Sequence, residues 1–145
     1  MPALDEAAAA WRVRPGPEQT VALCAALGGP GSESLAAEVS ERALVEHAGD
    51  VGVLLAVGWL QARLGWLAQA QSTLALAGKL GGRDPRPFEA LGQVLLLRGD
   101  ARRSNQALQR AIELGCASAT VSRWLAAAAD LGELQRGEGP RAVQA

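Results

Sequence analysis

Few residues in this chain are suited to bond-making chemistry. His47 is the only histidine, and Cys24 and Cys116 are the only cysteines. A metal cluster built on several imidazoles therefore cannot be assembled. His47 falls near the end of an expected helix, where partial positive charge is favoured. Cys24 lies on an apolar stripe and reads as a small core residue. Cys116 follows a helix end and reads as a turn or inter-repeat contact. The run Gly28-Gly29-Pro30-Gly31 has no preceding strand, no Lys-Ser/Thr and no GxGxxG spacing, so it is not a phosphate loop. Glu33, Glu38, Glu41 and Glu46 read as a solvated helix face. Arg98, Arg102, Arg103 and Arg110 would need more charge, and aromatics to stack bases, to make a phosphate-binding surface. They read instead as a solvated outer face. No acid/base pair, activated nucleophile or metal set emerges, so binding is expected rather than catalysis, with no cofactor.

Composition points the same way. The 145 residues are 49% apolar and 20% charged, with a formal net charge of −1. This is ordinary for one globular domain and does not suggest nucleic acid or an anionic membrane as partner. The start, Met1-Pro2-Ala3-Leu4-Asp5-Glu6, lacks a basic region and a long apolar run, so no signal peptide is expected. The most apolar run, Val51 to Leu60, is too short to span a bilayer. Two cysteines make no disulfide framework, and a cytoplasmic location is expected. Tyr is absent and Ala abundant, a bias expected of a GC-rich genome.

The elements carrying these residues repeat. Offset by 34 residues, Asp50 meets Asp84, Leu54 meets Phe88, Val57 meets Leu91 and Gly58 meets Gly92. Further on, Gly65 meets Gly99, Ala70 meets Ser104, Leu74 meets Leu108 and Ala77 meets Ala111. A fixed period of this size marks a repeat architecture. Phe88, Leu91 and Leu95 recur three and four apart, forming one helical stripe. Gly92 interrupts that stripe at a cost of about 1 kcal/mol in helix propensity, acceptable where another helix approaches closely. Ser104 and Ala70 are the small residues expected to lie against Gly92 and Gly58. Gly99-Asp100 stops one helix and caps the next. Ser104, Ala107, Leu108, Ala111 and Ile112 form the second stripe, which Leu114-Gly115 ends. The unit is helix, turn, helix.

Residues 85–118, through Phe88, Leu91, Gly92, Leu95, Ser104, Leu108 and Ala111, resemble the tetratricopeptide repeat (TPR) family. Residues 51–84 match it with Leu54, Val57, Gly58, Ala70, Leu74 and Ala77, but place Gln61 where a second large residue belongs. Neither copy ends in the usual Pro. The resemblance implies an all-α, right-handed α-solenoid: an N-terminal arm over 1–16 (a cap or a dimerisation arm), a TPR-like domain over 17–134, and a frayed tail over 135–145. Within the domain lie a divergent repeat at 17–50, repeats at 51–84 and 85–118, and a capping helix at 119–132. In the first repeat Cys24 replaces the Gly and Ser40 the large residue. Ser32 is the expected N-cap of its second helix.

Stacked helix pairs of this kind line a groove with the first helix of each pair. Leu55, Trp59 and Arg63 are then expected on its inner face, followed by Glu89, Gln93 and Leu97 one repeat later and by Arg123 on the capping helix. An aromatic anchor with Leu side chains and Arg heads suits a peptide or helix of another protein. The family's carboxylate-binding subset needs Lys, Asn and Arg where this chain has Leu55, Glu89 and Gln93, and is not expected. The implied function is a protein–protein interaction adaptor or scaffold. The alternatives are a small bacterial secretion chaperone of the TPR type and a self-associating module, with homodimerisation left open.

Overall fold

The structure, a computed structural model, describes residues 2–137, with side chains from residue 4. The described residues form eight α-helices and no strand. In order these are α1 (Pro2–Val13), α2 (Pro17–Ala26), α3 (Glu33–Glu46), α4 (Val51–Arg63), α5 (Leu67–Gly81), α6 (Arg86–Leu97), α7 (Ala101–Glu113) and α8 (Ala119–Arg136). The all-α expectation holds. The chain divides into two compact units, residues 1–81 and 82–145.

The helices begin and end where local chemistry directs. The Asp50 carboxylate accepts from the Val53 N–H (3.1 Å) at the start of α4, and Asp100 accepts from the Arg103 N–H (3.0 Å) at the start of α7. Each satisfies an amide that the first helical turn leaves without a partner. At the end of α4 the Trp66 N–H returns to the Gln61 carbonyl (2.8 Å) and the Gly65 N–H to Ala62 (3.1 Å). The same pair of bonds recurs at the end of α6, from Asp100 to Leu95 (2.9 Å) and from Gly99 to Leu96 (3.0 Å). This six-residue closure requires a left-handed residue. Gly65 and Gly99, at φ +81° and +83°, supply it. Ser32 behaves differently from expectation. It occupies the cap position of α3, yet its hydroxyl donates back to the Gly29 carbonyl (2.6 Å) and caps no amide of the helix.

In residues 1–81, α4 is the central helix, packed by α2 and α3 as well as by its hairpin partner α5. That explains its nearly all-round apolar surface. The core joins Leu23, Cys24 and Leu27 of α2, Ala36, Val39 and Ala43 of α3, and Val53, Val57 and Leu60 of α4. Helix α1 packs against α2. Trp11 of α1 is 1% exposed within this core. Its indole N–H donates to the Thr20 hydroxyl across 3.1 Å, and the Arg42 guanidinium lies 5.3 Å above its ring. Arg12 forks onto Glu38 through two hydrogen bonds of 3.2 and 3.1 Å. His47, at the end of α3, places its Nε2 2.7 Å from the Pro15 carbonyl. A carbonyl only accepts, so that ring nitrogen carries the proton.

In residues 82–145, α6 and α7 form a hairpin and α8 packs on both. A Cβ added to Gly92 would fall 2.5 Å from Leu108 Cγ; one added to Gly58 would fall 2.5 Å from Leu74 Cδ2. The close approach was expected from Ser104 and Ala70, but the large Leu of the second helix fills each glycine notch. Ser104 serves instead as a tie, its hydroxyl donating to the Gly92 carbonyl at 2.7 Å. At the corresponding slots the first pair has Cys24 and Ser40, which removes the Leu-in-Gly fit. Accordingly α2 packs more on α4 than on α3.

Helix α8 runs four residues beyond its expected end at 132. Gly132 is no stop: the helix continues through it to Arg136, with Ala101 at ordinary contact distance from that position. The Gln135 amide donates to the Gly99 carbonyl (2.6 Å), and Gly137 closes the helix at φ +75°. Gln135 and Arg136 are therefore helical; residues 138–145 of the expected tail lie outside the described residues.

Candidate partner-binding surfaces

The seven residues expected to face a partner occupy three register slots, with Arg123 of α8 sharing that of Leu55 and Glu89. In unit 1 those slots differ: Leu55 is buried, Trp59 half-buried and Arg63 exposed but engaged by the neighbouring helix. Leu55 is 6% exposed, drawn into the core because α4 is packed on several sides. It offers no groove wall. The Arg63 guanidinium donates through Nη2 to the carbonyls of Cys24 (2.6 Å) and Leu27 (3.3 Å). Those carbonyls belong to the C-terminal end of α2, where helix geometry leaves acceptors open and the dipole is negative. Arg63 thus closes α2 from the neighbouring helix, where a partner-facing cation was expected. Trp59 is half-buried.

In unit 2 the same slots stay accessible. Glu89, Gln93 and Leu97 follow one another at four-residue spacing along α6, which puts them on one face. Glu89 and Gln93 are half-buried, while Leu97 is 61% exposed. The Cys116 thiol approaches the Glu89 carboxylate at 3.6 Å. Arg123 is exposed on α8, which packs beside α6.

The other groups with chemical potential are tied down. Burial pushes the Cys24 thiol up to about 11, against a smaller opposing pull from Arg63. Such a thiol is no nucleophile at neutral pH. Arg103 pairs with Asp100 at 3.6 Å, and Arg110 pairs with Glu113 at 3.3 Å while lying 5.9 Å over the Phe88 ring. Among the described residues no group of three or more His, Cys, Asp or Glu is placed to hold a metal ion. No described helix is long and apolar enough to cross a membrane.

One buried polar pair was missed by the sequence reading. The Thr73 hydroxyl donates to Gln61 Oε1 at 2.8 Å, linking α5 to α4. The signal was present: Gln61 already departs from the repeat pattern, and Thr73 follows it by twelve residues, across the hairpin turn.

In sequence, no family model and no curated protein matches this chain. In structure, its helical-repeat fold is similar to that of a solved chaperone. That protein is the Yersinia enterocolitica type III secretion chaperone SycD, in complex with a peptide of the translocator YopD. The TM-score is 0.66 at 21% identity, covering 82% of this chain and 93% of that one. At this identity the likeness is one of fold.

Proposed function

We propose that this protein is an interaction module that holds a peptide or helical segment of a partner protein, as an adaptor or scaffold. The observation that carries this reading is the fold likeness to a chaperone with a peptide bound. Fold alone names a mode and not a partner, so the surface must supply the rest. In unit 2, Leu97 offers an apolar anchor, Gln93 an amide for the partner's backbone, and Glu89 and Arg123 the charges that set orientation. In unit 1, Trp59 is the residue with an aromatic face to offer.

A secretion chaperone is the second reading, favoured by what SycD is and by the translocator peptide it holds. The two readings differ in the partner: an exported polypeptide that precipitates unless co-expressed with this chain supports the chaperone. The first experiment is to capture the partner, map its bound segment, and titrate that segment by calorimetry into the parent protein and Leu97→Glu. A carboxylate on the anchor should weaken binding at least about tenfold, or ~1.4 kcal/mol. Unchanged affinity would move the interaction off α6. Concentration-dependent sedimentation without any partner would favour the self-associating alternative.

A further inference from the structure

The Gln61–Thr73 pair stands out within the molecule's own repeat. At the same two register positions the first helix pair has Leu27 and Val39, and the third has Leu95 and Ala107, all buried and apolar. Only the middle repeat buries a carboxamide and a hydroxyl there, at 3% and 4% exposure. Burying polar groups costs free energy that their mutual hydrogen bond offsets only in part. Two apolar residues would fill these slots, as the neighbouring pairs demonstrate.

The pair also lines a cleft. Leu44 of α3, Gln61 of α4, and Ala68, Gln69, Ser72 and Thr73 of α5 surround a volume of about 310 Å³. All six belong to residues 1–81. The lining carries no charge. Thr73 occupies the carboxamide oxygen of Gln61 and Ser72 turns its hydroxyl to the Ala68 carbonyl (3.3 Å). Gln61 and Gln69 bring the lining its two carboxamides, beside the apolar Leu44 and Ala68.

We propose that this cleft is a binding subsite for an uncharged, small-side-chain stretch of extended peptide, whose backbone carbonyl accepts from the Gln61 amide. This rests on the peptide-binding reading and adds to it a surface distinct from the α6 face. A volume of about 310 Å³ equals roughly ten liquid-water volumes, room for one or two small residues. The lining offers a charged side chain no counter-ion, so the subsite favours neutral residues.

The probe is the blocked tripeptide acetyl-alanyl-alanyl-alanine methylamide, with its Asp-containing counterpart as control. Titration followed by ¹H–¹⁵N NMR should shift the Gln61 side-chain amide and the Ala68 and Ser72 backbone signals, with the Asp peptide at least fivefold weaker. The variant Gln61→Leu/Thr73→Ala imports the pair of the third repeat. It should keep the fold, unfold at a higher temperature, and bind the neutral probe at least fivefold more weakly, followed through Ala68 and Ser72. If that variant does not fold, Gln61→Met, which keeps the length and removes the donor, serves in its place. The proposal is overturned if the Gln61 amide does not move, or if the folded variant binds as the parent does. Shifts confined to Gln93 and Leu97 would overturn it while leaving the adaptor reading intact.

Discussion

The hairpins α4/α5 and α6/α7 are two solutions to one packing problem, 34 residues apart. Both seat a Leu of the second helix against a Gly of the first, and both end the first helix in the same glycine-closed turn. They part at the slots that a partner would read. Leu55 is buried where Glu89 is half-buried, and Trp59 and Gln93 are both half-buried. Of the exposed pair, Arg63 is bonded to the end of α2 while Leu97 is an apolar side chain in solvent. Position in a repeat therefore fixes backbone geometry, while the helices around it decide whether a slot is structural or free. A central helix such as α4 has one such slot, Leu55, drawn into the core and another, Arg63, tied to its neighbour.

The largest effect should come from breaking what the hairpins share. Gly92→Leu and Gly58→Leu each drive a side chain into a space already held by Leu108 or Leu74. Overpacking of this kind costs about 1–3 kcal/mol, at the upper end here because the notch is filled. Chemical denaturation should show a comparable loss for both. Gly92→Ala sharpens the point: helix propensity favours Ala by about 1 kcal/mol, yet the added methyl should still destabilise. Shortening the opposing leucine in Gly92→Ala/Leu108→Val should recover part of the loss. If Gly92→Ala stabilises the protein, the close approach is absent.

The second effect separates the hairpins. Arg63→Glu removes two charge-assisted bonds to the end of α2 and sets a carboxylate against carbonyl oxygens. Bonds of that type contribute about 1.5–3 kcal/mol. Loss should appear as faster amide exchange at the end of α2 and a lower unfolding midpoint. Fully retained protection there would show that Arg63 closes nothing.

Much of this was legible in the sequence, because the 34-residue period is written in glycines and leucines whose spacing alone implies paired helices. What was not legible depended on partners distant in the chain. Arg63 reaches acceptors 36 and 39 residues away, and backbone carbonyls leave no mark in a sequence. Trp11 looked like part of an appendage because Pro15-Gly16-Pro17 separates it from Thr20, the residue that holds its indole. Gly132 read as a helix stop, although a glycine can also stand inside a helix at a modest cost in propensity. Of the expected groove residues, Leu55 and Arg63 were misplaced for one reason: helical periodicity shows that a face exists and is silent on what covers it.

A third effect is set by pH and confined to unit 1. The Cys24 thiol is raised to about 11 in the folded chain by burial, while an unfolded cysteine ionises near 8.5. The folded state therefore holds its proton where the unfolded state has released it. Stability is untouched below about pH 8.5 and falls as pH rises toward 11. The full loss is on the order of 3 kcal/mol. Cys24→Ala should flatten that part of the pH–stability curve, at the expense of a small cavity that is independent of pH. A parent curve that is flat from pH 8.5 to 11 would mean that the thiol is hydrated.

The narrowest comparison exchanges residues at a single slot, where the smallest stability change is expected at Leu97. Arg63 and Leu97 are register equivalents, one bonded to the end of α2 and the other 61% exposed. Arg63→Leu removes the closure of α2 and should cost about 1.5–3 kcal/mol. The reverse exchange, Leu97→Arg, removes no buried contact and introduces a side chain that solvent accommodates. Its stability change should stay within about 0.5 kcal/mol. Binding reverses the order. If Leu97 anchors a partner's apolar side chain, Leu97→Arg should weaken the complex about tenfold or more while the unfolding midpoint stays in place. Arg63→Leu should alter affinity only as far as it loosens unit 1. An equal stability cost for both exchanges would mean that Leu97 is as structural as Arg63, and the proposed division between a load-carrying α4 and a partner-facing α6 would fail.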